Sequence, residues 1–109
     1  MGQLTAGEVV ALSFPFSNLR ESKLRPALVL AKVEFDNVIL CQITSKSYSS
    51  SSAIRIEKTD FSQGQLPLIS FTRPDKLFTA DPSIISATVG RLTSTKKDQI
   101  LRSVRQIFR

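Results

Sequence analysis

Histidine and tryptophan are absent from this sequence of 109 residues, and cysteine occurs once. Histidine is the commonest general acid–base and the commonest metal ligand in proteins. Without it, and with the acidic residues scattered, the chain offers no cluster suited to a transition metal. If the protein is an enzyme, we expect it to work without a metal or a cofactor, through Arg, Lys, Asp, Glu, Ser, Thr or Tyr side chains.

The lone cysteine, Cys41, excludes a disulfide within the chain and favours a cytoplasmic setting. Cys41 lies in an apolar run, so we interpret it as a small core residue rather than a nucleophile. No apolar run approaches the ~20 residues that a membrane-spanning helix needs. The N-terminus also lacks the charged start and long apolar stretch of a signal peptide. The sequence therefore predicts a cytoplasmic protein without a membrane partner.

Basic residues outnumber acidic residues by 15 to 9, which gives a net charge of +6. A basic surface favours anionic partners such as nucleic acid, acidic proteins or anionic lipid. Part of the excess lies in residues 95–109, where a solvated helix face explains it equally well. The net charge alone therefore does not distinguish a binding role from a charged surface that only keeps the helix solvated.

Short apolar segments alternate with polar turns, which predicts one mainly β domain over residues 1–109. The predicted strands span residues 7–14, 26–33, 38–44, 53–58 and 66–73, and residues 77–79 and 87–92 are shorter β candidates. Turns are predicted at 34–37 and 60–65, and polar loops at 17–24 and 45–52. Pro26 should stand first in its strand or on an edge, and Pro67 suggests an edge or a bulge. A short turn separates the second and third strands, so we expect them to form a hairpin.

The apolar period changes to that of an α-helix near the end of the chain. The stripe consists of Ile100, Leu101, Val104, Ile107 and Phe108. Thr95 and Asp98 resemble a capping box at the helix start. Five or six short strands with one terminal helix predict a small half-open β-barrel covered by that helix. The isolated glycines offer no phosphate-binding loop.

A series of motifs now occurs in a recognisable order. They are Gly7-Glu8-Val9-Val10 followed by Phe14-Pro15-Phe16, then Arg25-Pro26-Ala27-Leu28-Val29-Leu30, Cys41-Gln42-Ile43-Thr44-Ser45, Ser70-Phe71-Thr72-Arg73-Pro74-Asp75-Lys76-Leu77-Phe78 and Gly90-Arg91-Leu92. In this order, over roughly residues 6–108, the chain resembles the PemK/MazF family of toxin–antitoxin systems. The resemblance implies a mainly β, SH3-like half-open barrel (CcdB/PemK-like) with a C-terminal α-helix, in agreement with the pattern of strands and helix.

The resemblance also implies a function. Members of the family are mRNA interferases, endoribonucleases that cut single-stranded RNA at short sequences without a metal. It implies a homodimer with a concave RNA groove, and a cognate antitoxin whose acidic tail occupies that groove. Cleavage proceeds by attack of the ribose 2′-OH on the adjacent phosphate. This reaction needs a base, stabilisation of the charged phosphorane and an acid for the leaving oxygen.

Arg25 and Thr44 are the first catalytic candidates. A guanidinium stays charged and donates to two phosphate oxygens, so Arg25 can stabilise charge that grows in the transition state. The predicted hairpin places Thr44 near Arg25, where its hydroxyl can donate to a phosphate oxygen. The family match points to both residues. The alternative is a surface arginine at a strand start and an ordinary strand-end threonine.

The general base stays open between Glu21 and Asp75. Some family members have a glutamate in the loop before the arginine, although matching Glu21 to it needs a shift of one residue. Certain members use an arginine and an aspartate at the positions of Arg73 and Asp75 for phosphate binding and proton transfer. The alternative for this pair is a turn salt bridge of little energetic weight.

RNA binding is assigned to residues that flank the catalytic candidates. Ser45 can offer a backbone N–H, and cations and aromatic rings can track the RNA backbone and stack on bases. These candidates are Arg73, Ser45, Lys46, Phe16, Arg20, Lys23 and Tyr48. Phe16 would equally suit the core.

Two other functions remain open from the sequence. One is a non-enzymatic toxin of the same fold, such as a gyrase-poisoning relative that acts through its terminal helix. Such relatives lack the Arg-Pro strand start. The other is an inactive domain that binds only RNA or an antitoxin, which the absence of histidine keeps in play.

Overall fold

The computed structural model describes residues 4–13, 24–46 and 52–109. In these ranges the chain forms seven strands, three single-turn 3-10 helices and one α-helix. The strands are β1 Glu8–Ser13, β2 Leu24–Lys32, β3 Val38–Thr44, β4 Ile54–Ile56, β5 Phe61–Gly64, β6 Ser70–Ala80 and β7 Ile85–Leu92. The 3-10 helices span Glu34–Asp36, Lys58–Asp60 and Pro82–Ile84, and α1 spans Ser94–Ile107. Within the described ranges, no helix is long and apolar enough to cross a membrane.

The strands form one antiparallel sheet in the order β4-β6-β3-β2-β1-β7-β5. The molecule measures 31 × 30 × 29 Å, so the sheet is strongly coiled rather than flat. This arrangement confirms the predicted mainly β half-barrel with a terminal helix. It also confirms the hairpin of β2 and β3, which turns through Glu34–Asp36. The described residues form seven strands rather than the predicted five or six.

The first and last strands are paired with each other. Glu8 lies opposite Arg91, and their side chains form an ion pair with Arg91 Nη2 3.8 Å from Glu8 Oε1. The Leu92 N–H also donates to the Gly7 carbonyl at 2.9 Å. β1 is therefore held between β2 and β7 in the interior of the sheet, whose edge strands are β4 and β5.

Both faces of the sheet are apolar at β2, which explains the near-continuous apolar run in its sequence. Successive side chains in a strand point to opposite faces. Ala27 and Val29 accordingly join one buried cluster, whereas Leu28 and Leu30 join the other. The second cluster includes Ile100, the fully buried residue of α1. The helix therefore docks through Ile100 on the face that carries Leu28.

The helix begins at a different threonine from the one predicted. Thr93 is the N-cap, and its hydroxyl accepts a hydrogen bond from the Lys96 N–H at 3.2 Å. The predicted cap at Thr95 with Asp98 is therefore wrong, because Thr93 already has the extended backbone of a cap residue. At the other end, Phe108 is 72% exposed, so the apolar stripe runs past the edge of the core.

The strand boundaries around β5 and β6 also differ from prediction. The predicted turn 60–65 contains β5, and the predicted strands 66–73 and 77–79 are replaced by the single strand β6. Residues 74–76 form a bulge in β6, since the pairing with β3 shifts between Cys41 and Gln42. Pro74 is tolerated there because a bulged residue needs no ladder hydrogen bond. Pro67 lies before β6, outside any strand.

Pro26 is also not where the prediction put it. It is the third residue of β2, and β2 is a central strand. Leu24 and Arg25 extend the strand by pairing with β1, whereas the pairing with β3 begins at Ala27. β2 therefore begins two residues before the apolar run, and these two residues pair only with β1.

Candidate functional site

A cavity of about 530 Å³ opens where β2 begins and β3 ends. Neighbouring antiparallel strands run in opposite directions, so the start of one meets the end of the other. The lining residues are Leu24, Arg25 and Pro26 from β2, Ile43 to Lys46 at the end of β3, Leu66 to Leu68 and Ser70 before and in β6, and Ala11 and Val89. The cavity therefore gathers Arg25, Thr44, Ser45 and Lys46, which the sequence proposed for the site.

Arg25 and Thr44 lie just beyond the last pair between β2 and β3, which joins Ala27 to Gln42. There Arg25 pairs with β1 and Thr44 pairs with β6, and both residues line the cavity. Side chains two residues apart share a face of the sheet, so Arg25 and Thr44 lie on the same face. The prediction that the hairpin brings these strand ends together is confirmed, while the roles of the two residues stay predictions.

The end of β3 is held by a local hydrogen bond. The Thr44 hydroxyl oxygen accepts from the Lys46 N–H at 3.1 Å, which fixes the bend at Ser45. A hydroxyl has one proton to donate and two sites to accept, so this bond does not use the Thr44 proton. Ser45 and Lys46 are exposed at this bend. Thr44 thus combines a positioned oxygen with a proton that can be given to a ligand.

The lining of this cavity is cationic. Among its described lining residues, Arg25 and Lys46 carry positive charge and none is an aspartate or glutamate. Arg25 is exposed, so its guanidinium is accessible to a ligand. A cleft lined by one sign of charge concentrates counter-ions of the opposite sign. The arrangement therefore suits a phosphate group better than a cation or a neutral ligand.

Arg73 and Asp75 lie one strand further along the sheet and do not line this cavity. Arg73 pairs with Gln42, so strand alternation puts it on the same face as Thr44. Asp75 belongs to the bulge, and its Oδ2 lies 3.5 Å from Arg73 Nη2. The salt bridge considered from the sequence is therefore present, within a strand bulge rather than a turn. Among the described residues, no cluster of three or more Cys, Asp or Glu side chains could hold a metal ion.

Several predicted site residues cannot be placed relative to the cavity. Glu21, Phe16, Arg20, Lys23 and Tyr48 all lie outside the described residues. Sequence reasoning, in turn, misses the wall formed by Leu66, Pro67 and Leu68. The usable signal was Pro67, because a proline in an apolar run argues against a central strand and for an irregular segment.

Cys41 lies behind the bulge and is fully buried. Burial raises the pKa of its thiol from 9.0 to about 12, because the thiolate would lose its hydration. The nearby Asp75 carboxylate raises this pKa further, while the Arg73 backbone N–H and guanidinium oppose the rise. The interpretation of Cys41 as a core residue is confirmed.

We expect the free energy of unfolding to fall more steeply above pH 9 in the wild type than in Cys41→Ala. The thiol ionises near pH 9.0 when unfolded and near pH 12 when folded, so its pKa is raised by folding. Its contribution is therefore complete below pH 9 and is lost as the pH rises toward 12, by about 1.4 kcal/mol per unit. Urea unfolding at pH 8 and pH 10 measures the difference. Equal pH dependence in both proteins would contradict it.

Comparison with known proteins adds independent information. The profile of PemK-like, MazF-like toxins of type II toxin–antitoxin systems matches residues 5–108. A solved MazF from Deinococcus radiodurans is 16% identical, with 99% of this chain and 98% of that one covered and a TM-score of 0.77. No curated protein sequence matches at a significant level.

Two mycobacterial structures have the same fold. An endoribonuclease in complex with its cognate antitoxin, from a mycobacterial species, is 13% identical, with 96% of this chain and 94% of that one covered and a TM-score of 0.76. A MazF toxin of Mycobacterium tuberculosis is 15% identical, with 93% and 95% covered and a TM-score of 0.72. At such low identity the structural likeness establishes the fold, and the profile match establishes the relationship.

Proposed function

The chain belongs to the PemK-like, MazF-like toxin family of type II toxin–antitoxin systems, and we propose that it is an endoribonuclease that cuts single-stranded RNA, including mRNA, without a metal. The observation that carries this proposal is that Arg25 and Thr44 line one cavity whose charged lining residues, within the described ranges, are all cationic. The mycobacterial relative described as an endoribonuclease and the MazF toxins support the same activity.

In the proposed reaction the ribose 2′-oxygen attacks the adjacent phosphorus and the bond from phosphorus to the 5′-oxygen breaks. The products are a 2′,3′-cyclic phosphate and a 5′-hydroxyl end, because the leaving 5′-oxygen takes up a proton from water. Arg25 donates to two non-bridging oxygens and stabilises the negative charge that grows on them. The Thr44 hydroxyl donates a hydrogen bond to the same phosphate, and the Ser45 N–H and the Lys46 ammonium bind the RNA backbone beside it. These groups supply positioning and electrostatic stabilisation.

The first proton goes to Glu21 or Asp75 in this scheme, and a substitution separates the two. We expect Asp75→Asn to cleave RNA within about tenfold of wild type, because its carboxylate pairs with Arg73 outside the cavity lining. Removal of a general base instead costs roughly 10²- to 10⁴-fold. Single-turnover rates from pH 5 to pH 9 for Asp75→Asn and Glu21→Gln measure the effect. A large loss in Asp75→Asn, with loss of the acidic limb of the pH profile, would make Asp75 the base.

The partners follow from the same proposal. We propose that the protein acts in the cytoplasm as a homodimer and is neutralised by an antitoxin with an acidic segment. The net charge of +6 suits both such a segment and RNA. The solved complex of a mycobacterial relative with its cognate antitoxin supports the antitoxin partner. Light scattering of the purified protein, alone and with the antitoxin, tests both.

The decisive experiment is incubation of the purified protein with a long RNA in the presence of a chelator, followed by mapping of the RNA ends. We expect cuts at a short shared sequence, with cyclic phosphate ends. Binding without cuts would favour an inactive RNA-binding or antitoxin-binding domain. Stabilised DNA breaks in a parallel gyrase assay, without RNA cuts, would favour a gyrase poison.

A further inference from the structure

A second cavity, of about 280 Å³, lies beside the site and shares part of its wall. The two cavities have Leu66, Pro67 and Leu68 in common. The remaining residues of the smaller cavity are Glu57, Lys58, Phe61, Gln65 and Ile69. A polymer that leaves the larger cavity across the segment 66–68 therefore enters the smaller one directly.

The smaller cavity has several apolar lining residues that are partly exposed. Leu68 and Ile69 expose 63% and 48% of their surface, although both are large hydrophobic residues. The Phe61 ring packs against the core beside Gly90, where an added Cβ would come within 2.9 Å of the ring. The ring is therefore held in place by its neighbours. Exposed apolar and aromatic surfaces of this kind bind the planar face of an unstacked base.

Of the polar side chains that line the smaller cavity, one already has hydrogen-bond and ion-pair partners within the chain, and two are exposed to solvent. Glu57 belongs to a reciprocal capping box with Asp60, and its carboxylate lies 3.5 Å from Arg55. Lys58 and Gln65 are exposed, and Lys58 forms no ion pair with another described residue. An ammonium can bind a phosphate, and a side-chain amide can both donate to and accept from a base edge.

We infer that the smaller cavity holds one base of the RNA substrate, outside the nucleotides that flank the cut, with Gln65 reading its edge and Lys58 binding its phosphate. The inference rests on the proposed ribonuclease function, because the RNA path starts at Arg25 and Thr44. A volume near the lower limit of ~300 Å³ for small-molecule sites suits one base.

The test removes single bases from an RNA of seven nucleotides that contains the cleaved sequence. Wild type, Lys58→Ala and Gln65→Ala are each tested with every abasic RNA. Cleavage of the RNA gives kcat/KM, and binding of a 2′-O-methyl copy, which lacks the nucleophile, gives Kd. In wild type we expect one position outside the cut to lose roughly tenfold or more on base removal, as for a stacked base. In Gln65→Ala that loss should shrink at this position alone. Lys58→Ala should weaken binding of the intact RNA.

The controls keep this inference separate from the proposed function. Lys32→Ala removes the same charge at the far end of β2, and Gln106→Ala removes an exposed amide from α1; both should behave as wild type. Wild type that cuts RNA, with identical abasic patterns in all variants, would overturn the base site and leave the function intact. If wild type does not cut RNA, the base site is tested by binding alone. The ligands are then 2′-O-methyl heptauridylate and copies of it that each lack one base. Variants that lose only antitoxin affinity would overturn it in favour of a peptide site.

Discussion

Arg25→Ala should reduce the single-turnover rate of RNA cleavage by at least about a hundredfold. Removal of one donor to a developing oxyanion costs about 10²- to 10³-fold in enzymes, and Arg25 is proposed to donate twice. Arg25→Lys should recover only part of the rate, because an ammonium keeps the charge but lacks the planar fork that matches two phosphate oxygens. A synthetic RNA with the mapped sequence, in excess enzyme, provides the measurement.

The control for this prediction is Arg102→Ala, which removes the same charge from the exposed face of α1. Arg25 is itself exposed, so its replacement should change the free energy of unfolding by no more than about 0.5 kcal/mol. A folded Arg25→Ala protein that cuts RNA as fast as Arg102→Ala would remove Arg25 from the mechanism. A comparable loss in Arg102→Ala would show instead that general charge dominates the rate.

Gly64→Ala should destabilise the fold by about 3 kcal/mol, through backbone strain and a backbone clash together. Gly64 has a φ of +66°, a left-handed conformation that alanine adopts at a cost. An added Cβ would also clash with the Val89 carbonyl oxygen in β7. That oxygen belongs to the backbone of the paired strand, so it cannot rotate away. Either β5 separates from β7 or the strand pair shifts.

Gly7→Ala is the matched control, because Gly7 also has a positive φ, of +100°. There the added Cβ would meet Lys97 Cδ at 3.1 Å, in a flexible side chain that can move aside. Gly7→Ala should therefore cost only the conformational part, about 1 kcal/mol. Urea unfolding of the two variants measures the difference. A Gly64→Ala protein no less stable than Gly7→Ala would mean that β5 and β7 are not packed as described.

The parts of the fold that follow local rules were predictable from the sequence. The apolar run of β2, the turn after it and the strand β3 define a hairpin, and the hairpin alone brings Arg25 and Thr44 to one end. The helix start was not predictable in the same way, because Thr93 and Thr95 are both good cap residues. Only the tertiary position of the chain before α1 decides between them.

The errors around β5 and β6 have a non-local cause. Gly64 marks a turn by local rules, yet it lies opposite Gly90 in β7, and each of these glycines lets the other strand approach closely. Pro74 likewise suggests a break, yet it fits a bulge created by the shifted register of β3. For this reason the sequence could indicate the catalytic candidates but not the shape of the surface around them.

The pairing of β1 with β7 has a consequence for the timing of protein synthesis. β1 emerges from the ribosome before β7, so β1 lacks one of its two neighbours until β7 has also emerged. The strand that carries Arg25 is supported by β1, and the closing contacts at Gly7, Glu8, Arg91 and Leu92 form only after residue 92 has emerged. A nascent chain that has not yet exposed β7 would lack part of the support for the strand that carries Arg25, so we expect the proposed ribonuclease activity to appear only once β7 has folded against β1.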